Sequence, residues 1–493
     1  MRVLQVCAEL FPLLKTGGLA DVCGALPPAL ARRGVDVRVL VPGFPAMLRG
    51  VPDAKSLAVT GGLPVGVRLL RGTLPGTGIP LYLIDAPLLF GREGNPYADA
   101  AGHAYADNHR RFALLGRIAA RLAAGPARGL DADWSAELVH SHDWHAGLAP
   151  AYLRDAANHG GRRVASLHTI HNLAFQGIFP HQVLPELGLP AEFYRSHGLE
   201  FHGQISFMKA GLHYASRITT VSPTYAQEIQ SHEQGCGLDG VLRERAGVLS
   251  GILNGVDDSV WNPASDALIS ARYDARKLAG KARCRRALQK SLGLTLQDER
   301  PLFGMVSRMT EQKGFKLILD GLPALLQRGG QLAVLGSGDA ALVAALQQAA
   351  AAHPHAVAVS VGYDETQAHR IVAGADVMLV PSRFEPCGLT QLYGLKYGSL
   401  PLVHRVGGLA DTVADCSLEN IDEGLATGFV FERFTQADYQ AALRRAFTLF
   451  ARPEDWKTVQ RRAMAQDFGW DAAAARYVEE YILALASPSS APP

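Results

Sequence analysis

The sequence predicts an α/β protein made of two Rossmann-like, doubly wound domains, and three observations predict it. Short runs that are apolar on both faces alternate with helical stretches along the chain, as parallel strands covered by helices require. The series occurs twice, with a break near ILNGVDDSVWNPASD (252–266), where Asn-Gly, Asp-Asp and Asn-Pro signals cluster as in a hinge. At 493 residues the chain is also too long for one hydrophobic core.

In the first series the apolar start MRVLQVCAELFP reads as a strand rather than a signal peptide, because Glu9 and Lys15 interrupt it and no small-residue cleavage site follows. VRVLVP (37–42), LYLI (81–84), ELVHSH (137–142), VASLHT (164–169) and RITTVS (217–222) continue it. The second series is PLFGMVS (301–307), QLAVLG (331–336), AVAVSVG (356–362), DVMLVPS (376–382) and LPLVHRV (400–406). The expected domains are therefore 1–253 and 254–460. A helical segment at 461–486 contains WDAAAARYVEEYILALA, and SPSSAPP (487–493) reads as a disordered tail.

Composition narrows the function. With 48 basic and 46 acidic residues, no global field recruits nucleic acid. Cysteines 7, 23, 236, 284, 387 and 416 form no CxxC pair, which argues against a zinc ribbon or redox dithiol and suits a reducing compartment. No uncharged run reaches bilayer length. The expectation is a soluble cytoplasmic protein.

The chemistry-bearing stretches lie after strands. In LLKTGGLADV, Gly17 and Gly18 precede a helix, and Lys15 adds a mobile charge. Two readings stand: a phosphate-binding turn with free amides at a helix N-terminus, or a tight turn that needs positive φ. VGGLADTV (406–413) repeats the Gly-Gly-Leu-Ala-Asp core and is read as a similar strand-to-helix turn, not as proof of an internal repeat. Gly336 to Ala341, in LGSGDAAL, matches a dinucleotide fingerprint but lies in the second half and lacks the acidic residue such a site needs. Asp131 and Asp133 have chelating spacing but read as a solvated turn before Trp134.

HSHDWHAG (140–147) and LHTIHNLAFQG (167–177) crowd histidines at strand C-termini, where open α/β sheets bind ligands. Asp143, His168, His171 and Asn172 read as a polar rim for a hydroxyl-rich substrate; capped turns and core histidines are the plain alternative, and a closed zinc site lacks its cysteines. In VSRMTEQKGF (306–315), Arg308 and Lys313 suit a diphosphate, the first as a fork and the second as a point charge. In PSRFEPCGLTQLYGLKYG (381–398), Glu385 is poised in a loop, and Gly388, Leu389 and Thr390 open a helix. Cys387 has no histidine base nearby in sequence.

Taken in order, KTGGLADV, HDWHA, TIHNLAFQG, NGVD, SRMTEQKG, RFEPCGLTQLYGLKYG and GGLADTV resemble the bacterial glycogen synthases, relatives of the plant starch synthases, from residue 3 to about 480. The resemblance implies a GT-B fold: two Rossmann-like domains facing across a deep cleft, with a C-terminal helix crossing back to the first. It implies a retaining transfer of glucose from ADP-glucose to the non-reducing end of an α-1,4-glucan. No metal is required if Arg308, Lys313, Lys15 and helix N-termini stabilise the leaving diphosphate, and no further cofactor is expected. The resemblance further implies that Lys15, Gly17 and Gly18 bind the diphosphate while Arg308 and Lys313 neutralise its leaving charge. Glu385 would hold the transferred glucose, Gly388 to Thr390 would seat phosphate, and Cys387 would contact the donor. His171 would reach the sugar near its reacting carbon, Asp143, Asn172 and Asn254 would position sugar, and Tyr97, in GNPY, would line the acceptor side. His404-Arg405 before the second Gly-Gly departs slightly from the pattern.

A front-side mechanism, with the leaving phosphate taking the incoming hydroxyl's proton, needs fewer groups than a double displacement using Glu385 and Asp143, which spacing alone leaves open. UDP-glucose as donor, a silent glucan-binding protein and an NAD-dependent oxidoreductase are the rival readings. Oligomeric state and regulation are not legible.

Overall fold

A computed structural model describes residues 1–59, 62–125 and 129–486. The predicted tail at 487–493 lies outside the described residues. The chain forms two compact units, Met1–Gly255 with Trp470–Pro493, and Val256–Gly469.

The first unit carries a nine-stranded sheet. Its order is Leu249–Gly251, Arg217–Thr220, Ala165–Ile170, Leu138–His142, Arg2–Val6, Asp36–Pro42, Pro80–Asp85, Arg68–Thr73 and Lys55–Ser56. All neighbours are parallel except the last two pairings. Leu138–His142 and Ala165–Ile170 are buried at every position, which is why both read as continuous apolar runs. The helix Trp470–Ala486 closes this unit. Ala473, Ala474, Tyr477, Tyr481 and Ala484 join the core around the first strand, and Arg217 Nε pairs with Glu480 at 2.8 Å. The C-terminal helix thus returns to the first domain.

The second unit holds six parallel strands in the order Val357–Val361, Gln331–Gly336, Leu302–Val306, Val377–Val380, Leu400–His404 and Phe429–Phe431. Numbered along the chain this is 3-2-1-4-5-6, the order of dinucleotide-binding sheets.

The domain edges differ from expectation. The break falls between Gly255 and Val256, and the return between Gly469 and Trp470. Gly255 lies flat against Trp470, where a Cβ would stand 2.7 Å from the indole. The next amide, of Val256, bonds instead to Phe468 O at 2.7 Å within the second unit. Asn254 therefore belongs to the first unit, and 461–469 to the second.

Each sheet has a point where successive strands run off in opposite directions. In the second unit it lies between Leu302–Val306 and Val377–Val380; in the first, between Arg2–Val6 and Leu138–His142. Loops leaving the strand ends at such a point diverge and open a crevice.

Candidate functional site

In the second unit the two diverging loops carry the expected residues. Arg308 follows Leu302–Val306 and is exposed, with no ion pair among the described residues. Lys313 ends the short turn Glu311–Lys313. Gly314 takes φ 76°, and a Cβ there would stand 2.0 Å from Pro381 O, so the two loops are pressed backbone to backbone. Across this contact Lys313 Nζ reaches Glu385 Oε2 at 2.5 Å, and Ser382 Oγ donates to the same oxygen at 2.8 Å. The other carboxylate oxygen, Oε1, has no hydrogen-bond partner among the described residues. A buried carboxylate pinned by one oxygen and open at the other suits a sugar hydroxyl.

The surroundings brace this pair. His404 Nδ1 lies 3.0 Å from Ser382 O and so braces the Glu385 loop. Gly407 and Gly408 start the helix Gly407–Thr412. Cβ atoms there would stand 2.0 Å from Glu385 O and 2.2 Å from Cys387 O. Gly388 takes φ 75°, and Thr390 begins the helix Thr390–Lys396, its hydroxyl on Val306 O. Cys387 is buried.

The dinucleotide-like glycines have a different purpose. A Cβ on Gly336 would meet Ser307 O at 1.9 Å and one on Gly338 Met309 O at 2.2 Å, so both admit the Arg308 segment. Asp339 caps its own helix, taking the amides of Ala341 and Leu342 that a pyrophosphate would use.

In the first unit, the loop after Arg2–Val6 is organised by Glu9, which the sequence motifs did not single out. Its buried carboxylate accepts from Thr16 N (2.7 Å), Thr16 Oγ1 (2.5 Å), Gly17 N (3.1 Å) and Tyr97 OH (2.6 Å). Two expectations change. Gly17 is extended (φ −163°), so the positive-φ reading fails there. Its amide is also spent on Glu9 rather than free. The backbone is nonetheless open, since a Cβ on Gly17 would meet nothing within 4 Å. Lys15 pairs with Asp21 at 2.9 Å. Tyr97 is tied to the turn through Glu9, and its ring stacks on His145 at 4.6 Å. The carboxylate just beyond a buried strand was the available signal for Glu9.

Asp143 follows Leu138–His142 with φ 54°, a strained conformation for a residue with a Cβ. It accepts the amides of His171 (2.7 Å) and Asn172 (3.3 Å). Burial pushes its carboxyl up to about 7, partly opposed by those two amides and reinforced by Glu9. His171 is bonded to His142, Nε2 to Nδ1 at 2.9 Å, and burial drives it down to about 3. Asn254 is buried, and its Oδ1 has no hydrogen-bond partner among the described residues. His168 is not on this rim. Strand alternation sends it to the opposite face from Thr169, where it bonds Ser141 Oγ (2.9 Å) and packs on Met208. Asp131, expected as a solvated turn, is instead buried, accepting from Tyr82 OH (2.6 Å) and Arg38 (3.1 Å).

Both sheets thus place a cation and a carboxylate at a switch point. Residues 2–244 match the family described as "Starch synthase catalytic domain", and 290–462 match "Glycosyl transferases group 1". A glycogen synthase of Variovorax paradoxus is 59% identical over 99% of both chains. One of Francisella tularensis subsp. novicida is 56% identical over 98% of both. The chain belongs to the glycogen synthase family. It is a glycosyltransferase with the GT-B fold. The catalytic domain of starch synthase IV from Arabidopsis thaliana, solved bound to ADP and acarbose, superposes with a TM-score of 0.89 at 32% identity, covering 98% of this chain and 99% of that one. A sucrose-phosphate synthase from Thermosynechococcus elongatus, 18% identical with a TM-score of 0.61 over 99% of both chains, shares the fold alone. The motifs that carry the glycogen synthase resemblance now have places at strand ends.

Proposed function

We propose that this chain transfers glucose from ADP-glucose to the non-reducing end of an α-1,4-glucan, releasing ADP and retaining the anomeric configuration. The observation that carries the reading is the Lys313–Glu385 contact at the switch point, with Arg308 exposed on the same loop as Lys313. Glucosyl transfer passes through an oxocarbenium-like state while a diphosphate departs with growing negative charge. Arg308 and Lys313 meet that charge, while Lys15, Gly17, Gly18 and the backbone of Gly388 to Thr390 bind the diphosphate. Glu385 Oε1 takes a hydroxyl of the transferred glucose, and Cys387 contacts the donor. His171 lies near the reacting carbon; Asp143, Asn172 and Asn254 position sugar, and Tyr97 lines the acceptor side. The departing phosphate takes the proton of the incoming hydroxyl, so the reaction is front-side and needs no metal or further cofactor. That the Arabidopsis relative was solved bound to ADP supports adenine as the base. Six scattered, unbridged cysteines suit the cytoplasm, and no described helix is long and apolar enough to cross a membrane.

The test is nucleoside diphosphate release from ADP-glucose and from UDP-glucose with glycogen, in the presence of EDTA. Preferred ADP release with glucan growth is expected. Release from UDP-glucose alone would overturn the donor, and loss of activity with EDTA the metal independence.

A further inference from the structure

His140, Ser141 and His142 end one strand; Thr169 lies at the end of its parallel neighbour and His171 just beyond it, with His142 paired to Thr169 in register. Positions 140 and 142 share one face. On that face the C-terminal helix supplies Tyr481, whose hydroxyl lies 2.8 Å from His140 Nδ1, while His140 Nε2 meets Thr169 Oγ1 at 2.7 Å. His140 is thereby held at both nitrogens. Its ring lies 4.1 Å from that of His142. The His142 ring in turn has one hydrogen bond among the described residues, Nδ1 to His171 Nε2 at 2.9 Å, and its buried Nε2 has no partner among them.

Burial and the surrounding histidines push both rings well toward the neutral form. One proton therefore lies between Nδ1 and Nε2, in one of two arrangements. If His171 donated, His142 would carry its own proton on Nε2, a buried N–H with no acceptor, which folded proteins rarely tolerate. If His142 donates, only a lone pair is left unmatched there. We infer that His142 is a positioning residue: it donates Nδ1–H to His171 Nε2, fixing His171 as the tautomer that carries its proton on Nδ1. His171 then meets the sugar as a hydrogen-bond donor, aimed by a brace that runs through His140 to Tyr481 on the C-terminal helix. The catalytic consequence rests on the reading that His171 contacts sugar; the tautomer does not.

Long-range ¹H–¹⁵N correlation spectra of the full chain labelled with ¹⁵N-histidine read the tautomer directly, with His171 assigned by its absence from the His171→Ala spectrum. The expected pattern is a protonated Nδ1 and a bare Nε2; the reverse overturns the inference. In His142→Asn the side-chain amide still donates from near the old Nδ1 position, so the His171 pattern and most of kcat are retained. In His142→Phe the pattern is lost and kcat falls about tenfold with KM for ADP-glucose unchanged, as the loss of one aimed hydrogen bond implies. Wild-type kcat in His142→Phe would overturn the positioning role. Undiminished activity in His171→Ala would overturn the sugar contact itself and leave the spectral assignment standing.

Discussion

Lys313 Nζ and Glu385 Oε2 stand 2.5 Å apart, joining the loops that leave two adjacent strands of the second unit. Both side chains are largely buried, so each compensates the other's desolvation. Removing one alone leaves an unpaired buried charge. Lys313→Ala is therefore expected to lose about 3 kcal/mol of stability in urea denaturation and about 10²–10³ in kcat. The double variant Lys313→Met/Glu385→Gln removes both charges. It should recover most of the stability and none of the activity. If activity returned with stability, the pair would be a structural tie and nothing more.

Asp143 gives a pH dependence whose sign is fixed by its raised pKa. Its ordinary value is 3.8, and burial lifts it to about 7. Between those values the native state holds a proton that the unfolded state has released. Stability thus falls as pH rises from about 4 to about 7, then levels. The shift of roughly three units is worth on the order of 4 kcal/mol. Asn tolerates the left-handed backbone and keeps an oxygen for the amides of His171 and Asn172. Urea denaturation of Asp143→Asn should match wild type near pH 4 and exceed it at pH 8. Parallel curves for the two proteins would show that the carboxyl ionises normally in the fold.

Why these features differed in legibility has a physical basis. Every run named in the sequence proved a strand; the central ones, such as Leu138–His142 and Ala165–Ile170, are buried at every position and so carry few charges. Arg68–Thr73 escaped because it pairs antiparallel near the sheet edge, and its two arginines, glycine and threonine leave only Leu69 and Leu70 as apolar residues. Ile178–Pro180 and Phe429–Phe431 are too short to show a period. The cations and Glu385 were legible because loops after apolar strands are visible in one dimension. Glu9 was not, since its meaning comes from Tyr97, 88 residues away. His168 shows the opposite failure: its proximity to His171 in sequence concealed that a strand turns them to different faces.

His369 offers a second titration within the second unit. Burial alone would depress it, but the carboxylates of Asp266 (2.7 Å) and Glu365 (3.5 Å) outweigh that and hold it above 6.5. A raised base stabilises fully below its unfolded value, and that contribution is lost as pH rises through the folded one. His369→Gln should cost about 2 kcal/mol at pH 6, with the gap narrowing toward alkaline pH. The Trp261 indole stacks on the imidazole with centroids 3.7 Å apart, so its fluorescence should follow the same titration. A pH-independent gap would place the proton elsewhere.

The duplicated Gly-Gly-Leu-Ala-Asp supplies the sharpest contrast. Both copies open a helix after a strand: Gly17 caps Gly18–Arg32, whereas Gly407 is the first residue of Gly407–Thr412. Gly407 has φ 44°, and a Cβ would lie 2.0 Å from Glu385 O. Gly407→Ala must therefore push the Glu385 loop aside, losing about 3 kcal/mol through strain and overpacking and most of kcat with it. Gly17 is extended, and a Cβ added there would have nothing within 4 Å. Gly17→Ala should stay within about 0.5 kcal/mol of wild type. Any rise in its KM for ADP-glucose then reports a ligand lying against that backbone, because the fold itself has no objection to the methyl group. A rise of about tenfold is expected, the cost of one displaced contact; an unchanged KM would return the first copy to the role of a turn.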